Sequence, residues 1–434
     1  MQSASFLLVL YLISIFGYSL SRGFYSYHSF LVLAFTYMLF GFSFFLKKRT
    51  FIDNIGFELI APFVFIINSL LFVLLFGGIY QEPGPAFNLI KLAIPLVLIF
   101  SLFLVLSSGK KNNIQKLSFL AMIILAIVLR VMVLISSPSP RIDVFDMLKE
   151  GPRYLFSGEN PYSQLYPQRY VGVIPDYFTY FPLTLLVFAP IDYLFSDPRV
   201  AFIISDLVTA FIIYKIIESL KSKAKSLKFI LPLVFLYHPS GSFILEQSWI
   251  DGLIFAFLAG LIFLQIRVRA KDLYSYIILA FFLSLKQSLL ILIPFFLIFT
   301  KLKKTVILRA LLLIGVSILP FALWSFSDFY HDTIKFFLNY PARYDSITVN
   351  TFFYFLWGRD IPKIFLYFVW TVVGIFSLIW AASRIWSRFV LAVAFFLFTF
   401  FFFNKLAFIH YYFLISLLIL LAAILRFGEE SKRH

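Results

Sequence analysis

Residues 89–107 read LIKLAIPLVLIFSLFLVLS, an apolar run that ends shortly before Lys110-Lys111. A helix needs about 20 such residues to cross the hydrocarbon layer of a membrane. Similar runs recur along the 434-residue chain, which is 62% hydrophobic and only 13% charged. A soluble domain of this composition could not cover its surface with polar groups. The sequence therefore predicts an all-α protein that crosses a membrane many times.

Basic residues lie in short clusters between the apolar runs, and they predict the side on which each loop lies. Lysine and arginine are enriched in cytoplasmic loops. We predict about 14 spans, both termini in the cytoplasm, and a long loop outside at 137–177. Ten runs have full length: 5–20, 30–46, 58–79, 89–107, 118–136, 199–219, 306–324, 363–382, 387–403 and 407–425. The other four spans are shorter arms, 228–241 with 251–266 and the two halves of 273–300. The clusters assigned to the cytoplasm are Lys47-Lys48-Arg49, Lys110-Lys111 with Lys116, Lys221-Lys223-Lys225-Lys228, Arg267-Arg269-Lys271, Lys301-Lys303-Lys304, Arg384 with Arg388, and Lys432-Arg433.

Two segments differ from an ordinary span. Residues 178–195 are apolar, but a crossing there would put Lys221–Lys228 outside. We therefore predict a re-entrant or surface-lying segment, broken by two prolines. The run 273–300 has basic clusters on both sides, so we predict a hairpin with Lys286 at its outer tip. Its arms are too short to cover a core of about 30 Å, so the tip is expected in a cavity within the outer leaflet.

Composition also excludes several classes of partner. The net charge of +16 does not indicate a nucleic-acid partner, because the cations lie in clusters that suit an anionic membrane surface. The chain has no cysteine, which excludes disulfides and thiolate metal sites. Asp143 and Asp146 could share a divalent cation, but the outer loops offer no complete metal site, so neither metal nor cofactor is predicted. Residues 5–20 lack a basic leader and a cleavage site, and they are interpreted as a retained span.

The loop at 137–177 holds the polar residues best suited to chemistry. Prolines end the preceding span, and a helix is predicted from Asp143 to Gly158. Its apolar side chains share one face, with Asp143, Asp146 and Glu150 opposite them at helical spacing. Such a helix would lie on the membrane surface.

Two roles stay open for Asp143 on spacing alone. Transfer of a sugar from a lipid carrier to a hydroxyl requires a base, and a carboxylate in a partly dry cleft can remove that proton. Asp143 could instead cap the helix by accepting backbone N–H bonds, with Asp146 completing the capping pattern. Glu150 is expected on the solvated face.

Several short motifs resemble those of a known superfamily. They are Ile142-Asp143-Val144-Phe145, Gly158-Glu159-Asn160-Pro161-Tyr162 and Tyr180-Phe181-Pro182. Together they resemble the first outer loop of GT-C-fold glycosyltransferases, with the bacterial polyprenol-phosphate-mannose-dependent mannosyltransferases as the nearest branch. The segments Ser205–Phe211 and Phe403-Asn404-Lys405 are also similar to the catalytic subunit of GPI mannosyltransferase I.

The resemblance runs from about 118 to 425 and implies a GT-C-like transferase core with a large catalytic outer loop. It leaves 1–117 as a four-span region without an assigned role and 426–434 as a cytoplasmic tail. It implies inverting, metal-independent transfer of a sugar, with mannose expected, from a polyprenyl- or dolichyl-phosphate donor to a glycan or glycolipid acceptor. In this family the loop aspartate, here Asp143, is the catalytic base. Arg141 stands where the GPI enzymes carry an aspartate.

Other ionisable residues fall at the predicted outer ends of short spans, where buried charge is costly and points to function. Lys286, Arg343 and Lys405 are predicted to bind the phosphate of the donor. Alternatively, Lys286 pairs with an acid that holds the hairpin, and Arg343 pairs with Asp345 at the surface. The predicted acceptor or loop contacts are Asn160, Tyr162, Tyr180, Glu246, Asp251 and His410.

Three of these assignments have structural alternatives. His410 could be a hydrogen-bonded core histidine. Asn160-Pro161-Tyr162 could be a turn that carries an interfacial tyrosine. Asp206 lies within a span and matches the GPI family, and we expect a structural hydrogen bond there.

Two other functions would keep the membrane fold. A transporter or flippase of lipid-linked sugars would be expected to show inverted repeats and charges at the midplane. The chain shows no repeat, and its charges gather at one face. A non-catalytic subunit of a glycan assembly complex would not need Asp143. The sequence thus predicts a multi-pass cell-membrane glycosyltransferase, in contact with membrane lipids, whose active site lies on the non-cytoplasmic side.

Overall fold

Helices provide almost all the regular structure of the protein. The computed structural model describes residues 3–45, 55–107, 112–219, 226–268 and 272–431. No strand forms in these ranges, where Phe24 and Ser346 make one isolated bridge. The all-α prediction is confirmed for this part of the chain. Some basic residues used for the topology lie outside the described residues: Lys47-Lys48-Arg49, Lys110-Lys111, Lys221-Lys223-Lys225, Arg269, Lys271 and Lys432-Arg433.

Seven helices in the described ranges are long and apolar enough to cross a membrane, by length and composition. They coincide with seven of the ten full-length runs, and the total of about 14 spans stays a prediction. The seven are α3 Phe57–Leu75, α4 Pro85–Leu106, α5 Asn112–Ser136, α8 Arg199–Glu218, α14 Lys304–Trp324, α18 Lys363–Ala381 and α20 Ile409–Glu430. Shorter apolar helices are α1 Ala4–Ser19, α2 Tyr27–Ser43, α7 Leu183–Phe195, α9 Leu227–Leu236, α11 Asp251–Phe263, α12 Asp272–Ser284, α13 Ile293–Ile298 and α19 Trp386–Phe402. The others are α6 Asp143–Phe156, α10 Gly241–Glu246, α15 Phe326–Tyr330, α16 Phe336–Asn339 and α17 Val349–Trp357.

The long helices differ in how much of their surface other helices cover. In the apolar stretch of α20, 94% of the residues are buried, against 22% in each of α4, α14 and α18. A helix that is apolar on every face is stable either in a protein core or against lipid. We infer that α20 forms the centre of the bundle and that α4, α14 and α18 lie at its lipid-facing periphery.

Hydrogen bonds between helix ends bring the first and last helices together. The backbone N–H of Ala4 donates to Glu430 Oε2 at 3.5 Å, so α1 and α20 run antiparallel. Ser5 Oγ donates to the carbonyl of Ile55, just before α3, at 2.7 Å. We call this end of the bundle the terminal end.

A second set of contacts defines the opposite, distal end. Arg199 Nη1 donates to the carbonyl of Ser137 at 2.8 Å, which places the start of α8 beside the end of α5. The backbone N–H of Ile79 donates to Glu246 Oε2 at 2.6 Å. Because α5 ends where α8 begins, the intervening 178–195 segment does not need to change sides.

The segment 178–195 contains α7, which packs on α6. Arg153 of α6 makes two hydrogen bonds to Asp192 of α7, at 2.8 and 3.0 Å. Pro182 is the N-cap of α7, whereas Pro190 lies inside this helix of 13 residues, which continues to Phe195, so the predicted break at Pro190 is wrong. The re-entrant or surface-lying position of this segment stays a prediction.

The predicted hairpin at 273–300 has the expected form. Its first arm is α12, and its second arm is a 3-10 turn at Gln287–Leu292 followed by α13. Lys303 Nζ lies 3.0 Å from Asp272 Oδ2, so the two arms begin and end at the same end of the bundle. Lys286 occupies the turn between them.

The predicted boundaries at 117 and 426 do not coincide with breaks in packing. Tyr18 Oη lies 3.0 Å from His238 Nε2 and 2.7 Å from Ser416 Oγ, so α1 is tied directly to the core. The last helix continues through Arg426 to Glu430, because Arg426 pairs with glutamates one turn further along. The first part of the predicted tail is therefore helix.

Candidate functional site

Two long segments cover the distal end and fold against each other. They are residues 137–182, between α5 and α7, and residues 325–348, between α14 and α17. Asp332 Oδ2 accepts the backbone N–H of Phe178 at 2.7 Å. Burial raises the pKa of Asp332 to about 7, against the opposing effect of the Phe178 N–H and His331. Asp332, which the sequence did not single out, joins the two segments.

Asp143 is the first residue of α6 and lies partly buried at this junction. Its Oδ1 accepts the N–H of Val144 at 2.9 Å, and its Oδ2 accepts the hydroxyl of Tyr177 at 3.1 Å. The N-cap position belongs to Ile142, so Asp143 does not cap the helix in the usual way. Burial raises the pKa of Asp143, while the Val144 and Tyr177 hydrogen bonds lower it. In the described ranges no cation pairs with this carboxylate.

Tyrosines surround the Asp143 carboxylate. Burial raises the pKa of Tyr80, Tyr170, Tyr177 and Tyr180, and the charge of Asp143 contributes to the rise in each. Four phenols from two parts of the chain, the α3–α4 loop and the 137–182 segment, therefore lie within electrostatic range of one carboxylate. Phenols donate and accept hydrogen bonds, and their rings offer flat apolar faces. Such a lining suits a polyhydroxylated ligand.

The second predicted acid, Asp146, forms an ion pair with an arginine. Arg169 donates to both carboxylate oxygens, at 2.5 and 2.7 Å, and Asp146 is 3% exposed. Arg169 lies 23 residues away in the same loop, and no periodic signal in the sequence linked the pair. Asp146 therefore anchors the loop to α6.

The third predicted acid, Glu150, lies 3.3 Å from Arg153 of the same helix. Arg153 also binds Asp192 and so connects α6 to α7. Glu150 is partly exposed, as expected for the solvated face. Of the three acids on α6, Asp143 is thus the one without an ion pair in the described part of the chain.

Lys286 makes a buried ion pair, which was the structural alternative for this residue. Its Nζ lies 2.7 and 2.9 Å from the two carboxylate oxygens of Asp251. Asp251 is fully buried, and the ammonium group also lies 4.8 Å from the centre of the Tyr411 ring. A donor phosphate would have to share this ammonium with Asp251.

The other two predicted phosphate ligands differ from each other. Arg343 donates to both oxygens of Asp345, at 2.7 and 2.9 Å, which is the local surface pair expected as its alternative. Lys405 Nζ donates to the carbonyls of Leu338 and Tyr340. No carboxylate pairs with Lys405 among the residues that the structure describes, so its charge is available to an anion.

The predicted acceptor contacts in the first segment form a turn. Asn160 Oδ1 accepts the N–H of Tyr162 at 3.1 Å, and the hydroxyl of Tyr162 donates to the carbonyl of Tyr180 at 2.7 Å. The side-chain amide nitrogen of Asn160 is buried without a partner in the structure. Asn160 and Tyr162 hold Tyr180 in place beside Asp143.

Glu246 has a structural role at the distal end. It accepts the backbone N–H groups of Ile79, at 2.6 Å, and Tyr80, at 3.0 Å. A Cβ on Gly78 would lie 1.8 Å from Glu246 Oε1, so a larger residue there would displace the Glu246 carboxylate from its present position. Glu246 therefore positions Tyr80 and is not itself presented to a ligand.

His410 and Asp206 are both enclosed by the bundle. The His410 ring lies 4.7 Å from that of Trp249, and its Nδ1 is buried without a partner in the structure. His410 is thus a core histidine, but its Nδ1 makes no hydrogen bond in the described part of the chain. Asp206 accepts a hydrogen bond from Arg130 Nε at 2.9 Å, the structural contact expected for it.

Comparisons of the chain with family models, with curated proteins and with solved structures give no significant match. The resemblance to GT-C enzymes thus rests on the short motifs alone. No group of three or more histidine, cysteine, aspartate or glutamate residues that could hold a metal ion occurs within the described ranges.

Proposed function

We propose that the protein is an inverting glycosyltransferase with a GT-C-like arrangement of about 14 spans. Its donor is a sugar, expected to be mannose, on polyprenyl or dolichyl phosphate. Its acceptor is a glycan or a glycolipid. The distal end faces the non-cytoplasmic side of the membrane, where Asp143 acts as the base.

The observation that carries this proposal is the environment of Asp143. A general base must be ionised, unpaired and close to the proton that it removes. Asp143 has no cationic partner in the described ranges, a pKa raised by burial, and a lining of four tyrosines. Asp146 and Glu150 do not meet these conditions, because each is paired with an arginine.

The reaction needs one base and one anion-binding group. Asp143 accepts the proton of the acceptor hydroxyl as the hydroxyl oxygen forms a bond to the anomeric carbon. The bond from that carbon to the phosphate oxygen breaks, and its electron pair leaves with the lipid phosphate. A single in-line displacement inverts the configuration, and a cation such as Lys405 stabilises the departing charge.

Transfer by the purified full-length protein tests the proposal. The protein in lipid nanodiscs is incubated with polyprenyl-phosphate mannose and with a glycolipid extract from cells that lack the gene. Release of polyprenyl phosphate together with a hexose mass increase in the extract is the expected result. Unchanged donor and extract, at protein concentrations equal to those of the donor, would contradict it.

Cysteine labelling tests the sidedness. The chain contains no cysteine, and Ser157 is exposed at the end of α6. An impermeant maleimide should label Ser157→Cys in intact cells. It should label Ser222→Cys, within the predicted cytoplasmic cluster, only after permeabilisation. The reverse pattern would place the distal end in the cytoplasm and end the outer-face proposal.

The pH dependence of transfer tests the hydrogen bond from Tyr177. Asp143 works only when deprotonated, so transfer is lost as the pH falls below its raised pKa. Tyr177→Phe removes a donor to the charged form, which raises the pKa further, so the acid limb should move to higher pH. Values of kcat/KM between pH 4 and 8 measure this shift.

Tyr166→Phe is the matched control for this pH experiment. The hydroxyl of Tyr166 donates to the carbonyl of Pro161 and not to Asp143. This variant should keep the wild-type acid limb. An acid limb that stays in place for Tyr177→Phe would remove Asp143 as the titrating base.

A further inference from the structure

A groove of about 460 Å³ lies between α17 and α18, beside the end of α19. Its lining is wholly apolar and largely aromatic. Trp357 on one wall is 60% exposed and Phe365 on the other is 47% exposed, so the groove is open to its surroundings. Because α18 is apolar and only 22% of its apolar stretch is buried, we infer that these surroundings are the hydrocarbon of the membrane. A hydrocarbon chain is the ligand that such a lining takes up.

Two lysines mark one edge of the groove. Pro362 and Phe403 line it, and Lys363 and Lys405 follow them in the chain. Because Pro362 and Phe403 line the same groove, the two lysines lie at the same edge of it, and the charge of Lys363 adds to the effect of burial in lowering the pKa of Lys405. Neither has a carboxylate at ion-pair distance in the described part of the chain. Two adjacent cations without a counter-ion form a site for a phosphate.

The edge of the groove that carries Lys363 and Lys405 is connected to Asp143 through the 325–348 segment. Lys405 Nζ donates to the carbonyls of Leu338 and Tyr340, which leaves one of its three N–H groups free. The phenol of Tyr340 contributes to the raised pKa of Tyr177, and Tyr177 donates to Asp143. The ring of Phe336 contacts those of Tyr340 and Tyr177, with ring centres 5.3 and 4.4 Å apart, so a chain of three aromatic rings connects this edge to the neighbourhood of the base.

We propose that the groove between α17 and α18 holds the chain of an isoprenoid lipid phosphate, and that Lys363 and Lys405 bind its phosphate. The lipid class rests on the proposed function, in which this molecule carries the donor sugar. One groove accommodates one chain, whereas a diacyl phospholipid brings two. Lys363 was not among the phosphate ligands predicted from the sequence, because it lies in an apolar run that was assigned to a span. In the structure it is the first residue of α18 and is exposed.

Binding of farnesyl phosphate to the purified full-length protein tests the proposal without sugar or acceptor. We expect saturable binding that is much tighter than that of farnesol or inorganic phosphate, since either part alone fills half of the site. Lys363→Met and Lys405→Met should each weaken it about tenfold, as expected for loss of one charge-assisted hydrogen bond. Val349→Phe, which fills the groove, should weaken farnesyl phosphate and farnesol alike.

Lys335→Met is the matched control. Lys335 is an exposed lysine in the 325–348 segment, and it does not line the groove. It should bind farnesyl phosphate as the wild type does. The thermal unfolding of each variant without ligand shows whether it is folded. Lys363 is an exposed residue, so Lys363→Met keeps the test decisive even where Lys405→Met does not fold.

Three results would overturn the proposal. They are wild-type affinity in Lys363→Met, equal weakening in Lys335→Met, and phosphatidylglycerol binding as tightly as farnesyl phosphate. Failure of the lipid site and failure of the proposed function are distinguishable. Lysine-dependent binding without any sugar transfer would refute the transferase alone. Transfer that depends on Asp143, with binding insensitive to both lysines, would refute the lipid site alone.

Discussion

Asp143→Asn is expected to lower sugar transfer by about 100- to 10,000-fold, the usual contribution of a general base. Asparagine has nearly the same size, and its side-chain oxygen can still accept a hydrogen bond from Val144 or Tyr177. It cannot accept the proton of the acceptor hydroxyl. Single-turnover transfer from polyprenyl-phosphate mannose measures the loss. Binding of farnesyl phosphate should be unchanged, because the phosphate lies at the lysines.

Two neighbouring acids provide controls for this variant. Glu150→Gln should reduce transfer little, since in the described ranges the ion pair of Glu150 is with Arg153 of the same helix. Asp146→Asn removes the charge that Arg169 faces, so its effect should appear first as a lower Tm. Full turnover in Asp143→Asn would refute the base assignment. A folded Asp146→Asn with a larger loss than Asp143→Asn would transfer the assignment to Asp146.

Lys286→Met is expected to destabilise the protein by about 3–5 kcal/mol, because it leaves the buried carboxylate of Asp251 without its cation. The residue lies in the hairpin turn, and its partner starts α11, so the pair joins two helical hairpins. Unfolding of the purified protein by heat or by a denaturing detergent measures the change. Lys286→Met combined with Asp251→Asn should recover part of the loss, since no unpaired charge then remains.

Lys303→Met is the comparison for the buried pair. Lys303 and Asp272 make the same type of ion pair with side chains that are 69% and 35% exposed. Exposed pairs contribute about 1 kcal/mol or less, so this variant should unfold close to the wild type. If Lys286→Met kept wild-type stability but lost farnesyl phosphate binding, Lys286 would be a phosphate ligand and not a structural cation.

Structural features that depend on residues close together in the sequence could be predicted from the sequence. A span needs a local run of apolar residues, so the seven long helices were found nearly at their observed positions. The hairpin at 273–300 followed from charge on both sides, and its turn at Lys286 followed from its length. The helix that starts at Asp143 followed from its apolar periodicity and from Gly158, which has a left-handed backbone conformation (φ 76°).

Features that depend on tertiary packing could not be predicted. Asp251 and Lys286 are 35 residues apart, and Asp332 lies 154 residues from Phe178. Many acids and cations at the distal end are compatible with each other in charge, and only the packing of the helices selects the pairs. The same holds for the tyrosines around Asp143, since the sequence contains 24 tyrosines and marks none of them as neighbours of that carboxylate.

The contact between the first and last helices has a consequence for biogenesis. Tyr18 and its hydrogen-bond partner Ser416 are 398 residues apart, and His238 beside them lies near the middle of the chain. During synthesis α1 is made long before α20, so the hydroxyl of Tyr18 is without its partner Ser416 until α20 has been made. The helix α20, whose apolar stretch is 94% buried, then packs against helices that precede it in the chain. The hydrogen bonds at the centre of this protein therefore form only after α20 has been made.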